Sequence, residues 1–161
     1  MKGDVIKIGI AGSGFAAKFH YESYKHVSGV NLEVAGVYSP TAERRNAFAA
    51  DRGIKAFETY EEMLEAVDVV DICAPSAEHE PLCVKAAEAG RHVMVEKPFT
   101  GAYGPGTDGW RGDKAEKQAL LSEALQSTER MVATARENFL RMRNGLDSAR
   151  RLPYCSGMAS V

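Results

Sequence analysis

Three short strings in this chain carry residue types at spacings suited to chemistry. The first is KIGIAGSGFAAKFH, Lys7 to His20, in which Gly12-x-Gly14-x-x-Ala17 follows an apolar run and opens a helical pattern. Gly12 permits a tight turn, Gly14 lets the backbone approach a pyrophosphate with no Cβ in the way, and Ala17 keeps the helix close to the sheet. The helix N-terminus offers phosphates its free N–H groups and a positive dipole end. The glycine spacing is a weak signal by itself. In a strand–turn–helix context it reads as a dinucleotide-binding turn. The second string, HVMVEKP, delivers Glu96, Lys97 and Pro98 at the end of an apolar strand. A lysine there can donate to a substrate oxygen that gains negative charge as hydride leaves, or relay a proton. Glu96 can pair with Lys97 or orient a ligand. Taken alone, a strand-end ion pair is the simpler explanation. The third string, APSAEHEP, places Pro75 at a strand end and His79 in the first turn of the next helix, beside the expected nicotinamide position. For His79 the functional and structural readings stay equally open. His20 and His92 read as structural, one near a helix end and the other at a strand start.

A dinucleotide site makes a further demand at the end of the second strand. NAD sites usually carry an acidic residue there, accepting from the adenosine ribose hydroxyls. Here the positions are Ser39, Pro40 and Thr41, with Arg44 and Arg45 close behind. A serine hydroxyl and an arginine suit a 2′-phosphate, which favours NADP over NAD. Solvated helix charges are the alternative explanation for the two arginines.

The elements that must position these residues follow from hydrophobic patterning. Val5 to Ala11 is a strand, ended by Gly12, and Phe15 to His26 has helical spacing. Leu32 to Tyr38 is a second strand. Thr41 is placed to cap the next helix, with TAER as an imperfect capping box, and that helix stops at Gly53. Ile54 to Phe57 is a short third strand, and Thr59 opens a helix over Tyr60 to Ala66. Val69 to Ala74 has almost no polar residue, as a strand covered on both faces requires. Glu78 to Ala89 is a helix closed by Gly90, and His92 to Val95 is a fifth strand. Strands alternating with helices over short connections predict an α/β fold with a doubly wound parallel sheet, whose ligands bind at the carboxyl ends of the strands. After Pro98 the chain becomes a glycine-rich loop. A helix follows, opened by a capping box at Asp113 and Glu116, with Leu121, Leu125, Met131, Val132 and Phe139 at helical spacing. It is expected to cover one sheet face.

Composition bounds the rest. The chain has 161 residues, 45% apolar and 26% charged, with a net charge of −2. That is one globular domain with no global attraction to nucleic acid or anionic membrane. No apolar run approaches a membrane span, and the N-terminus lacks the pattern of a signal peptide. Cys73, Cys83 and Cys155 form no metal-ligand spacing and read as free thiols, which with the missing leader pattern suggests a cytoplasmic setting. No metal is expected. Leu140 to Val161 carries a basic bias without a period. A loosely ordered tail explains it better than a nucleic-acid patch.

Together these strings resemble the N-terminal domain of the glucose–fructose oxidoreductase / inositol dehydrogenase (Gfo/Idh/MocA) family. The likeness rests on IGIAGSGFAAKFH and on DVVDICAPSAEHEPLCVKAAEAGRHVMVEKP, and extends over Val5 to Thr100. It implies a Rossmann fold that uses NAD or NADP to oxidise a hydroxyl, often on a sugar or polyol, or to run the reverse. It implies that Gly12, Ser13, Gly14, Phe15 and Ala16 line the cofactor phosphates and that Ser39 and Arg44 meet the adenosine ribose. Ala74, Pro75 and His79 would lie along the cofactor, with Glu96 and Lys97 near the nicotinamide and Lys97 the residue for substrate contact and catalysis. Two departures stand out. Ser39 occupies the usual acidic position, and the family's second α/β domain, with its Gly-x-x-x-Asp-x-x-His helix, has no counterpart here. The domain is therefore placed at 1–139, with 140–161 as a divergent tail of the kind a truncation or frameshift produces. The main expectation is the cofactor domain of an oxidoreductase, binding a nicotinamide dinucleotide and a small molecule, with self-association possible at an open sheet edge. A non-catalytic dinucleotide sensor or regulatory module is the alternative. Glycosidic cleavage through transient oxidation is a third reading.

Overall fold

A computed structural model describes residues 5–102, 104–105 and 110–143, with side chains to residue 140. Five parallel strands form one sheet: β1 (Ile6–Ala11), β2 (Leu32–Tyr38), β3 (Lys55–Phe57), β4 (Val69–Ile72) and β5 (His92–Val95). Their order across the sheet is β3-β2-β1-β4-β5. The chain moves outward in one direction from β1 to β3, then returns to the other side of β1 for β4 and β5. This is the doubly wound arrangement expected from the alternating pattern, and it puts the topological switch between β1 and β4.

Register fixes what emerges at the carboxyl edge. Ala11 pairs with both Tyr38 and Ile72, and Ile72 pairs with Val95. The next residues along each strand, Ser39, Gly12, Cys73 and Glu96, therefore leave the sheet side by side. Four strings far apart in sequence meet on one edge because their strands end in the same row.

The crossovers are α1 (Phe15–Tyr24), α2 (Ala42–Arg52), α3 (Tyr60–Ala66) and α4 (His79–Glu88), the last preceded by a 3-10 turn at Ser76–Glu78. Alternation along the strands splits the core in two. On one face Val70 and Ile72 pack with Met63, Val67, Cys83 and Ala86 beneath α3 and α4. On the other Ile10, Val37 and Cys73 pack with Ala17, Phe48 and Ala49 beneath α1 and α2. Cys73 and Cys83 are free, buried thiols, as expected.

Helix termini follow the sequence signals unevenly. Thr59 Oγ1 accepts from Glu62 N (3.1 Å) while Glu62 Oε2 accepts from Glu58 N (3.0 Å). Thr41 stands at the N-cap of α2, but its side chain makes no capping hydrogen bond, so the TAER box does not form. Gly53 closes α2 in the left-handed region.

The last helix, α5 (Lys114–Arg143), opens with the expected reciprocal box. Asp113 Oδ1 accepts from Glu116 N (2.9 Å), and Glu116 Oε2 accepts from Asp113 N (2.6 Å). The helix packs chiefly along α4 and reaches the sheet only at its edge. Arg130 donates to both carboxylate oxygens of Glu80, and Asn138 Nδ2 donates to the carbonyl of Arg91 (3.2 Å). Its buried residues are Ser127, Met131 and Asn138, whereas Leu121, Leu125 and Val132 are exposed. The expected apolar stripe thus mixes two faces, and the helix lies beside α4, covering the same sheet face at its β5 edge through Met131. It continues to Arg143, past the boundary drawn at residue 139. The unpatterned tail beyond residue 143, with Cys155, lies outside the described residues. Among the described residues no helix is long and apolar enough to cross a membrane.

Candidate functional site

The carboxyl edge encloses a cavity of about 720 Å³ walled by the residues that leave β1, β2 and β4. Gly12, Ser13 and Gly14 form its floor, Ser39 and Arg44 one wall, and Ala74 and Pro75 the other. These seven expected site residues are brought together in one place.

The two glycines are required for different reasons. Gly12 has φ +123°, and a Cβ there would lie 2.7 Å from the Cys73 carbonyl oxygen. The turn is wedged against the end of β4 and tied to β2 by Gly12 N donating to the Tyr38 carbonyl (2.7 Å). Gly14 is the N-cap of α1 with an extended backbone, and nothing lies within 4 Å of where its Cβ would stand. The fold does not need glycine there, and the missing Cβ leaves the approach to the helix start open. No side chain caps α1 and no acidic residue sits in its first turn, so the helix start stays open to an anion. Phe15 is 85% exposed and borders an adjoining hollow shared with Ser13, Gly14 and Arg44. The Ala16 side chain packs on the core between α1 and the sheet, which leaves only its backbone to face a ligand.

The paired arginines separate completely. Arg45 is 9% exposed and its Nη1 donates to the Ser39 carbonyl (2.8 Å), bracing the exit of β2. Arg44 is exposed and borders both hollows. The β2 wall carries no carboxylate, and Glu78 enters the cavity from the β4 side.

His79, expected along the cofactor, is placed otherwise. Its side chain is buried, with Nε2 3.0 Å from the Ala74 carbonyl oxygen and Nδ1 within 3.2 Å of the Pro98 and Phe99 carbonyls. Both ring nitrogens face backbone carbonyl oxygens, and the ring does not line the cavity. It is a brace that ties the loop after β4 to the loop after β5, and its effect on the site is indirect.

Glu96 leaves β5 beside β4, its N–H donating to the Ile72 carbonyl (3.0 Å). Its carboxylate is not free. Oε1 accepts from His20 Nε2 (2.9 Å) and Oε2 accepts from Lys97 N (3.0 Å). The hydrogen bond from His20, then that from Lys97 N, holds the Glu96 carboxyl below the ordinary range. Lys97 is exposed at the start of the next turn.

His20 is the residue that sequence reasoning assigned to structure alone. Its Nδ1 lies 2.9 Å from Asp71 Oδ2, and Asp71 is wholly buried in β4. Tyr24 Oη also donates to Asp71 Oδ2 (2.7 Å). Burial acts to lower the His20 pKa, but the hydrogen bonds and charges of Asp71 and then Glu96 outweigh it, and the net direction is upward. Burial, reinforced by the Asp71 charge, raises the Tyr24 phenol and the Cys73 thiol. His20, Asp71 and Cys73 bring Nδ1, a carboxylate and Sγ within 4.8 Å of one another. With Cys73 kept as a thiol, the group is a hydrogen-bond cluster. The signal for it was present in the sequence: Asp71 is the one charged residue in an otherwise apolar strand, and a buried carboxylate needs partners.

Comparison with known proteins agrees with this fold. The model of the Gfo/Idh/MocA oxidoreductase family, NAD-binding Rossmann fold, matches residues 6–108. UDP-N-acetylglucosamine 3-dehydrogenase of Acidithiobacillus ferrooxidans is 35% identical over 59% of this chain and 29% of its own length. Inositol 2-dehydrogenase of Corynebacterium glutamicum is 34% identical over 59% of this chain and 29% of its own. The chain therefore spans less than a third of the length of these relatives. The solved structure of the Acidithiobacillus ferrooxidans enzyme aligns over 78% of this chain and 36% of its own, with 30% identity and a TM-score of 0.55. A 3-ketoreductase from Actinomadura kijaniata in complex with NADP aligns over 84% and 36%, with 25% identity and a TM-score of 0.62. The family model covers well over half of the sequence, and the chain belongs to the Gfo/Idh/MocA oxidoreductase family, whose NAD-binding Rossmann domain it carries.

Proposed function

We propose that this chain is the cofactor-binding part of an oxidoreductase that moves hydride between NADP and a hydroxyl-bearing carbon of a sugar, polyol or related small molecule. One observation carries the reading. The cavity that the open start of α1 faces continues along the end of β4, and Glu96 and Lys97, which do not line it, follow the end of the neighbouring strand β5 on the same edge of the sheet. A dinucleotide laid along that edge puts its pyrophosphate on Gly12–Gly14 and its nicotinamide towards Lys97. The residues fit the group: the floor has no Cβ at Gly14, and the helix start has no competing carboxylate.

When bound, the nicotinamide supplies a ring carbon that accepts or returns a hydride. The chain's own residues do the remainder. The first turn of α1 binds phosphate through backbone N–H groups. Arg44 and the Ser39 hydroxyl flank the adenosine ribose, where a 2′-phosphate would be paired by the exposed guanidinium. Lys97 holds the substrate oxygen and moves its proton as the carbon–oxygen bond changes order. The relatives named for sugar-nucleotide and inositol dehydrogenation support the substrate class.

The test is calorimetric titration of the chain with each dinucleotide. NADP is expected to bind more tightly than NAD. Arg44→Ala should weaken NADP about tenfold, the size of one lost charge-assisted hydrogen bond, and leave NAD nearly unchanged. Equal affinities unaffected by Arg44→Ala would overturn the NADP assignment, and no binding of either would overturn the cofactor site.

A further inference from the structure

His20 sits at the centre of a hydrogen-bonded path that joins three elements of the carboxyl edge. From α1, His20 and Tyr24, four residues apart, both reach the carboxylate of Asp71 in β4. From its other nitrogen His20 donates to Glu96 Oε1, and Glu96 Oε2 accepts the backbone N–H of Lys97. The path Tyr24–Asp71–His20–Glu96–Lys97 has every separation at or below 3.0 Å. Its two ends matter. One is the helix whose first turn opens on the cavity. The other is the peptide that carries the exposed lysine.

The chemistry of the path is constrained. Both neighbours of His20 are carboxylates, which only accept, so the ring fills both contacts only when both nitrogens carry hydrogen. A cation between two anions then neutralises a carboxylate that β4 buries completely. A histidine needed only to satisfy Asp71 would use Nδ1 alone. The second contact, through Nε2, reaches outward to the turn after β5.

Resting on the reading of Lys97 given above, we propose that His20 is a positioning residue for Lys97: it clamps Glu96 to buried Asp71, and Glu96 in turn fixes the peptide from which the lysine extends. The clamp ties the helix that receives the cofactor to the residue that meets the substrate. It holds when the ring is doubly protonated and loosens when it is not. The titratable groups facing His20 are Asp71 in β4, Cys73 just after it, Glu96 just after β5, and Tyr24 through Asp71. Lys97 adds its charge beside Glu96.

The experiment is nuclear magnetic resonance on the ¹⁵N-labelled chain, following the His20 ring and the Lys97 amide from about pH 5 to about pH 9. The two are expected to share one midpoint, above the ordinary histidine value of 6.5. In Glu96→Ala the His20 midpoint should fall by about one pH unit, the effect of losing one adjacent opposite charge, and the Lys97 amide should lose most of its pH response. Glu96 is partly exposed, so this variant leaves the core intact. His20→Gln, checked for a dispersed spectrum, should abolish the Lys97 response as well. A Lys97 amide that ignores the His20 transition in the native chain, or follows it unchanged in Glu96→Ala, would overturn the proposal. No cofactor is present in these measurements. Parallel titrations in which neither NADP nor NAD bound would sink the cofactor reading and leave the clamp standing.

Discussion

At the scale of single residues, Gly12 and Gly14 look alike in the sequence and differ in what enforces them. Any side chain at Gly12 meets the backbone of Cys73 and must adopt a positive φ that L residues disfavour. Gly12→Ala should therefore destabilise the domain by about 1–3 kcal/mol in urea denaturation, the range for one strained backbone residue. At Gly14 the space is open and the backbone is extended. Gly14→Val should leave the urea midpoint almost unchanged and weaken dinucleotide binding at least about tenfold, since the branched side chain occupies the approach path. Loss of stability at Gly14 together with retained binding would show that the glycine serves the fold. Both glycines stood out because their spacing is local, a strand, a turn and a helix start within ten residues, although the backbone that enforces Gly12 belongs to Cys73 at the distant end of β4. Histidines were harder. His79 stands on the ligand edge in sequence, yet its acceptors at Pro98 and Phe99 come from a loop about twenty residues on. No spacing in its own neighbourhood announces them. Arg44 and Arg45 were inseparable for a similar reason. One turn of α2 sends one of them beneath the exit of β2 and the other into solvent.

At the scale of elements, α5 shows where patterning stops. Its existence and its opening box were readable from Asp113, Glu116 and a long helical period. Its buried face was not, because leucines and a valine lie on the side turned away from α4. Met131 is completely buried in the cluster beneath α4. Leu125 is 56% exposed. Met131→Ala should cost about 2–5 kcal/mol, the range for a large-to-small change in a core. Leu125→Gln should stay within about 0.5 kcal/mol of the native chain, as exposed substitutions do. Denaturant titration of both variants reads the orientation of the helix directly. Reversed magnitudes would mean that α5 packs through the Leu121–Leu125–Val132 face instead. The strands were easier: each is short, apolar and bounded by glycine, proline or a capping residue, and the parallel order follows once each connection contains a helix.

At the scale of the whole molecule, two histidines pull stability in opposite directions with pH. His20 has a raised pKa in the folded chain. Its contribution is complete below the unfolded value of 6.5 and disappears as pH rises through the folded value. Glu96 has a lowered one, so its contribution is complete above the unfolded value of 4.5 and disappears as pH falls through the folded value. The pair therefore stabilises most between pH 4.5 and pH 6.5. His92 behaves in the reverse sense. Burial lowers its pKa, only partly offset by Asp68, and its Nε2 is buried without a hydrogen-bond partner among the described residues. The neutral ring is the one that fits, so its contribution is present above pH 6.5 and lost as pH falls through the folded value. Urea midpoints measured across pH separate the two. His20→Gln should lose most stability, relative to the native chain, between pH 4.5 and pH 6.5, with the gap narrowing on the alkaline side. His92→Gln should show a gap that changes the other way, narrowing or reversing as pH falls below 6.5, because the variant has no proton to take up on unfolding. Parallel curves for the native chain and His20→Gln at every pH would mean that His20 binds its proton equally in the folded and unfolded states, so that Asp71 and Glu96 do not favour the charged ring, whereas a gap that narrowed as pH fell below 6.5 would mean that the folded ring stays neutral.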